Sequence, residues 1–207
     1  MLINNSCEEF TAKLASTDAV PGGGGAAALC GALSVSLCSM AAGFTAGKKK
    51  FAEYADELQT IIAECDDLRK EFLRLMDKDA ECFAPLAKAY SLPKDSPDYA
   101  EILRTATLNA VQPPMKMLTA SCQALALIEK LCDGKCSKLL ISDAGCAAAL
   151  CGAAMQCAAM NVFVNTKTLR GDAETQDIEV TAKSLLKEFL PKAEAISQDI
   201  INKLSED

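Results

Sequence analysis

A chain of 207 residues without a histidine must do any proton chemistry with Asp, Glu, Lys, Cys or Tyr, retuned by burial or by a neighbouring charge. Two acids stand out. Phe51, Tyr54, Leu58, Ile61, Cys65, Leu68, Phe72 and Leu75 alternate at spacings of three and four, the mark of one apolar helix face. The next step of that count lands on Asp79, ahead of Cys82 and Leu86. A carboxylate there would be desolvated and its pKa raised. The alternative is that straight-helix drift hands the seam to Met76, Ala80 and Phe83, leaving Asp79 solvated like its neighbours Asp77 and Glu81. Asp143 is the second candidate acid, or else, with Ser142, an N-cap.

The other constellations could bind rather than react. Val20-Pro21-Gly22-Gly23-Gly24-Gly25 opens a small-residue run that reaches Thr45. Four consecutive glycines lose much backbone entropy on ordering, so an ordered run asks for positive φ angles or for a ligand pressed against bare backbone. At a helix N-terminus its unpaired N–H groups would favour an anion or a carbonyl oxygen; otherwise it is only the turn leading into a buried helix. Lys48, Lys49 and Lys50 are the first charges after an uncharged stretch from Ala19 to Gly47. They either complement the dipole at the end of that helix or form an anion site for substrate carboxylates. Asn161 and Asn165, grouped with Asp143, lie one turn apart in a segment otherwise poor in polar groups, so they must find partners inside the protein or on a ligand.

Composition excludes several classes. A net charge of −7 and a sequence pI near 4.8 leave no excess of cations for nucleic acid. Eleven cysteines inside apolar helical patterns read as free thiols of a reducing cytoplasm. Cys132 and Cys136 are the nearest to a metal pair, and without histidine no zinc site is expected. The uncharged runs Ala26 to Ala46 and Ala144 to Thr166 have the length of membrane spans. They are built from Ala, Gly, Ser and Cys, and the second carries Gln156, Asn161 and Asn165, so buried helices of a soluble bundle are expected, with no membrane partner.

These residues must be positioned by helices. Ser6 and Glu9 have capping-box spacing, which predicts a helix from Ser6 to Ser16. The small-residue helix Ala26 to Ala46 follows, then the long amphipathic one from Phe51, with Pro85 near its end. Ser96-Pro97-Asp98 predicts the start of a helix that reaches Cys132 and breaks or kinks at Pro113-Pro114. The second small-residue helix ends near Gly171-Asp172, and a last amphipathic helix carries Ile178, Ala182, Leu185, Phe189, Ile196 and Ile200, with a bend at Pro191. Only Lys138 to Ile141 hints at strand alternation. The expectation is an all-α, single-domain bundle over residues 1–207, its two small-residue helices at the centre. Those two share Ala-Ala-Ala-Leu-Cys-Gly-Ala at Ala26 to Ala32 and at Ala147 to Ala153.

Six motifs in order resemble the formiminotetrahydrofolate cyclodeaminase and methenyltetrahydrofolate cyclohydrolase family. They are Pro21-Gly22-Gly23-Gly24, Phe44-Thr45-Ala46-Gly47-Lys48-Lys49-Lys50-Phe51, Asp77-Lys78-Asp79-Ala80-Glu81-Cys82-Phe83, Leu92-Pro93-Lys94, Ser142-Asp143-Ala144-Gly145 and Asn161-Val162 with Asn165. Gly25 departs from the pattern, which commonly carries serine there. The resemblance implies a homodimer of all-helical protomers, no metal or redox cofactor, and a folate cleft lined by the glycine turn and polar residues of neighbouring helices. Within that reading Asp79 and Asp143 are the catalytic candidates, and Lys48 to Lys50 take the glutamate tail of folate. The reaction expected is conversion of 5-formiminotetrahydrofolate to 5,10-methenyltetrahydrofolate with release of ammonia. The alternatives are hydrolysis of the methenyl compound to 10-formyltetrahydrofolate, or folate binding without turnover.

Overall fold

The computed structural model describes residues 1–206 as six α-helices joined by short turns, with no β-strand among them: α1 (Cys7–Leu14), α2 (Gly23–Ala46), α3 (Ala55–Ala89), α4 (Tyr99–Cys132), α5 (Ile141–Thr166) and α6 (Ala173–Ser205). The capping box is present: Ser6 Oγ accepts from the Glu9 N–H at 3.1 Å and the Glu9 carboxylate accepts from the Ser6 N–H at 2.7 Å. Gly134 and Gly171, both with positive φ, supply the turns after α4 and before α6.

α2 and α5 form the centre, running antiparallel. Their inward faces are almost entirely Ala, Gly, Ser and Cys, so the axes approach closely enough for Ser34 Oγ to donate to the Ala147 carbonyl at 2.8 Å. Gly31 lets the Phe72 ring of α3 lie directly on the α2 backbone, where a methyl group would overlap it. α4 packs against both central helices, with α3 beside α2 and α6 beside α5.

The structure corrects the expected elements in four places. Phe51 is not helical, and α3 begins at Ala55 after a short turn over Lys49–Tyr54. α4 starts at Tyr99 with Asp98 as its N-cap, so Pro97 lies outside the helix. Lys138 to Leu140 is a helical turn leading into α5 rather than a strand. Finally, α4 runs unbroken through Pro113 and Pro114, both buried.

That continuity has a specific cause. A proline at position 114 removes the N–H that would serve the Ala110 carbonyl, and the side-chain amide of Asn165 on α5 donates to that carbonyl at 3.1 Å. Asn165→Ala should therefore cost about 1–3 kcal/mol in urea unfolding, the penalty of a buried carbonyl left unpaired. The cost should shrink in a Pro114→Ala background, where the restored backbone N–H takes over. An equal cost in both backgrounds would show that the amide does not replace the missing donor.

Candidate active site

α3 carries Asp79 to the N-terminus of α2, and the C-terminal part of α5 brings Asn161 and Asn165 to the same place. Together with Gly22, Gly23, Gly24, Phe83 and Val164 they line a cavity of about 200 Å³. Gly22 is the N-cap of α2, and no side chain caps the helix. None of Gly22 to Gly25 has a positive φ. Gly23 and Gly24 are instead required by close approach. A methyl group on Gly24 would overlap the Asp79 carboxylate, and one on Gly23 would come within 2.9 Å of Asn161 Nδ2. The groups pressed on bare backbone are the protein's own side chains.

Asp79 is the group whose state matters. Burial alone pushes its carboxyl up to about 6, with no hydrogen bond or cation acting to lower it among the described residues. The inward side of α3 is wide enough for both sets: Asp79 faces the cavity, and Met76, Ala80 and Phe83 pack or line the cavity beside it, so Asp79 is not left solvated. Asn161 donates to its own helix at the Cys157 carbonyl, 2.8 Å away. The amide nitrogens of both asparagines thus donate to backbone carbonyls, Asn161 to Cys157 and Asn165 to Ala110. Pro21 is buried beneath the turn and packs against Gly25 rather than lining the cavity. Gly25 likewise faces Pro21 and Phe10, so a serine at that position would point away from Asp79.

Two groups expected here are elsewhere. Lys48, Lys49 and Lys50 follow the C-terminus of α2, a helix of 24 residues, roughly 36 Å from the glycine turn at 1.5 Å per residue. An unbroken helix between two sequence motifs holds them at opposite ends of the protomer. Lys48 donates to Ser137 Oγ, and the Ser137 N–H donates to Thr45 Oγ1 at 3.1 Å, tying that end to the loop before α5. Asp143 is at this same end. It is the third residue of α5, whose N-cap is Leu140, and it makes no capping bond. Neither Ser142 nor Asp143 is the cap, because the preceding turn runs straight into the helix. Asp143 is also roughly 27 Å along α5 from Asn161.

Sequence reasoning placed Asp77 on a solvated face, and it is buried. One of its oxygens accepts the Leu2 N–H at 2.5 Å and the other has no partner. The N-terminal turn Leu2–Asn4 covers this side of α3, a contact no periodicity within α3 could reveal.

A half-buried carboxylate with no hydrogen-bond partner among the described residues, beside two amides at the start of an uncapped helix, makes a small-molecule site suited to acid–base work. The chain belongs to the formiminotransferase-cyclodeaminase family, whose model matches residues 6–184. It is 32% identical over 206 residues to methenyltetrahydrofolate cyclohydrolase of Methylorubrum extorquens, covering 98% of this chain and 99% of that protein. The formimidoyltransferase-cyclodeaminase of Mus musculus is 27% identical over 93% of this chain, which spans only 36% of that longer protein. A crystal structure of formiminotetrahydrofolate cyclodeaminase from Thermotoga maritima superposes with a TM-score of 0.84 at 26% identity, over 97% of this chain and all of that one. The chain is an enzyme of one-carbon folate metabolism, of the cyclodeaminase or cyclohydrolase kind.

Proposed function

We propose that the cavity at the start of α2 receives the N5–N10 edge of a reduced folate and that Asp79 moves the proton at its one-carbon unit. The observation that carries this is the Asp79 carboxylate held against the bare Gly24 backbone, raised toward neutrality by burial alone. In the first reading, N10 attacks the carbon of a 5-formimino group and a tetrahedral carbon forms. Asp79 accepts the N10 proton and returns it to the amine. The C–N bond to that amine then breaks, ammonia leaves, and the 5,10-methenyl cation remains beside the carboxylate. A carboxyl near pKa 6 suits both halves, being basic enough to take the proton and acidic enough to give it up. The negative charge it holds afterwards faces the delocalised cation.

The end-to-end likeness to the Methylorubrum cyclohydrolase favours a second reading in the same cavity. Water adds to the methenyl carbon as Asp79 takes one of its protons and passes it to N5; the bond between that carbon and N5 then breaks, the carbonyl forms, and the remaining hydroxyl proton leaves to solvent, giving 10-formyltetrahydrofolate. Methenyl absorbance decides between them. Growth of the band from 5-formiminotetrahydrofolate, with stoichiometric ammonia, supports the first reading. Accelerated loss of the band from the methenyl compound alone supports the second. No change with either substrate would overturn both.

A further inference from the structure

The cavity at the start of α2 leaves part of its ligand unserved. At about 200 Å³ it falls below the roughly 300–1,000 Å³ usual for a bound small molecule, and no lysine or arginine lines it among the described residues. Beyond N10 a folate continues through a phenyl ring and an amide to a glutamate, or to a chain of γ-linked glutamates, whose carboxylates call for cations.

A second cavity, of about 480 Å³, lies where α5 ends and α6 begins. Lys167, Arg170 and Lys183 line it against one carboxylate, Glu179. That carboxylate is already engaged, accepting from the buried Thr166 hydroxyl at 2.7 Å and from Lys183 at 3.1 Å. The acids of the preceding turn are taken as well, since Asp172 and Glu174 bind the Arg104 guanidinium at 2.8 and 3.1 Å. Lys167 and Arg170 are exposed and form no ion pair with any described residue.

The two spaces share one stretch of helix. Asn161, Val164 and Asn165 line the first, and Phe163, Thr166 and Lys167 the second. Helical phase sets Asn161 and Asn165 on one flank of α5 and Phe163 and Thr166 on the other, with Val164 and Lys167 between them on the outer side. Val164 is 59% exposed, and Lys167 follows it by one turn, so an apolar step leads from the first space to the second without crossing the core. The separation is about one helix diameter, roughly 10–12 Å, which a phenyl ring, an amide and one glutamate also span. Together the two spaces reach the volume that the first alone lacks.

We infer that the cationic pocket between α5 and α6 takes the glutamate carboxylates of the substrate, with Lys167 and Arg170 as their partners and Val164 carrying the aromatic ring between the two spaces. The identity of the anion as a folate tail rests on the folate reading above; the pocket's selection of polycarboxylates does not. KM should fall about five- to tenfold as the tail lengthens from one glutamate to three, the worth of two added exposed charge contacts, with kcat of the wild type unchanged. The advantage should fade near 1 M salt, where charges are screened beyond about 3 Å. In a variant carrying Lys167→Ala and Arg170→Ala the KM values for short and long tails should converge, and Lys167→Glu with Arg170→Glu should make the longer tail the poorer substrate. A wild type indifferent to tail length would overturn the assignment. So would a preference that survives these changes and disappears when Lys48, Lys49 and Lys50 are all Ala, which would give the tail to that cluster.

Titration of isotope-labelled protein with free γ-linked triglutamate separates the site from the reaction. Backbone amide resonances of residues 163–171 and of Glu179 and Lys183 should shift, and the shifts should be lost in the variant with both cations replaced by Ala. Equal shifts with inorganic phosphate at the same ionic strength would make this a general anion pocket and overturn the polycarboxylate assignment. If the wild type turns over no folate yet binds triglutamate here, the folate reading fails and the site stands. A protein that turns over folate but shows no shift with triglutamate overturns the site and leaves the folate reading intact.

Discussion

Replacing Asp79 by Asn should lower kcat by about 10²–10⁴-fold, the usual worth of a positioned proton carrier, in a protein that still folds and binds a folate. Asn keeps the shape against Gly24 and removes only the proton. The pH profile gives a second signature. With the cavity empty the carboxyl is raised by burial to about 6, so wild-type kcat/KM should climb through about pH 6 as the base ionises. A bound folate cation lowers the pKa again, so the same limb in kcat should lie at lower pH. Both limbs should vanish in the variant. Near-wild-type kcat for Asp79→Asn would remove Asp79 from the chemistry.

Stability should move the opposite way. Because the folded pKa lies above the ordinary 3.8, the folded state holds the proton more tightly than the unfolded chain. The group's contribution is complete below about pH 4 and is lost as pH rises through about 6. Roughly two units correspond to at most about 3 kcal/mol. Asn carries no charge at any pH, so the variant should melt above the wild type at pH 7.5 and level with it at pH 4. An enzyme that gains stability as it loses turnover is the expected mark of a desolvated functional acid.

How much of this was legible in the sequence depends on the range of the interaction. The capping box at Ser6 and Glu9, the inward stripe of α3 and the small-residue faces of α2 and α5 are local patterns, and each formed the element it predicts. Extending the stripe to Asp79 put that carboxylate on the inward side, because helical phase persists over 35 residues. What local pattern could not show was long-range placement: the intact helices α2 and α5 set Lys48 to Lys50 and Asp143 at the opposite end of the protomer from Asp79, Asn161 and Asn165. Pro113 and Pro114 were expected to break or kink α4, and it stays unbroken with a compensating donor, Asn165, that arrives from another helix. The glycine turn was read either as a place for a ligand against bare backbone or as only the turn into a buried helix. That geometry is real, but the protein's own Asp79 and Asn161 fill it.

The glycine turn should therefore show a gradient along three consecutive positions, steepest at Gly24. Gly22→Ala meets nothing within 4 Å and should cost no more than about 1 kcal/mol, the difference between Gly and Ala at an N-cap. Gly23→Ala brings a methyl group within 2.9 Å of the Asn161 amide, the end of a side chain that can turn aside, so its effect should fall mainly on KM. Gly24→Ala places the methyl where the Asp79 carboxylate sits. For stability two effects oppose one another: overpacking costs about 1–3 kcal/mol, while alanine in place of glycine returns about 1 kcal/mol of helix propensity. The net change is small enough for the variant to fold. Catalysis has no such compensation, because a reacting group displaced by about 1 Å loses on the order of 10²-fold in rate. Gly24→Ala should thus approach Asp79→Asn in kcat while melting near the wild type, and in an Asp79→Ala background, with the carboxylate gone, the same substitution should stabilise. Full activity in Gly24→Ala would mean that the carboxylate works from another position than the one the bare backbone of α2 provides.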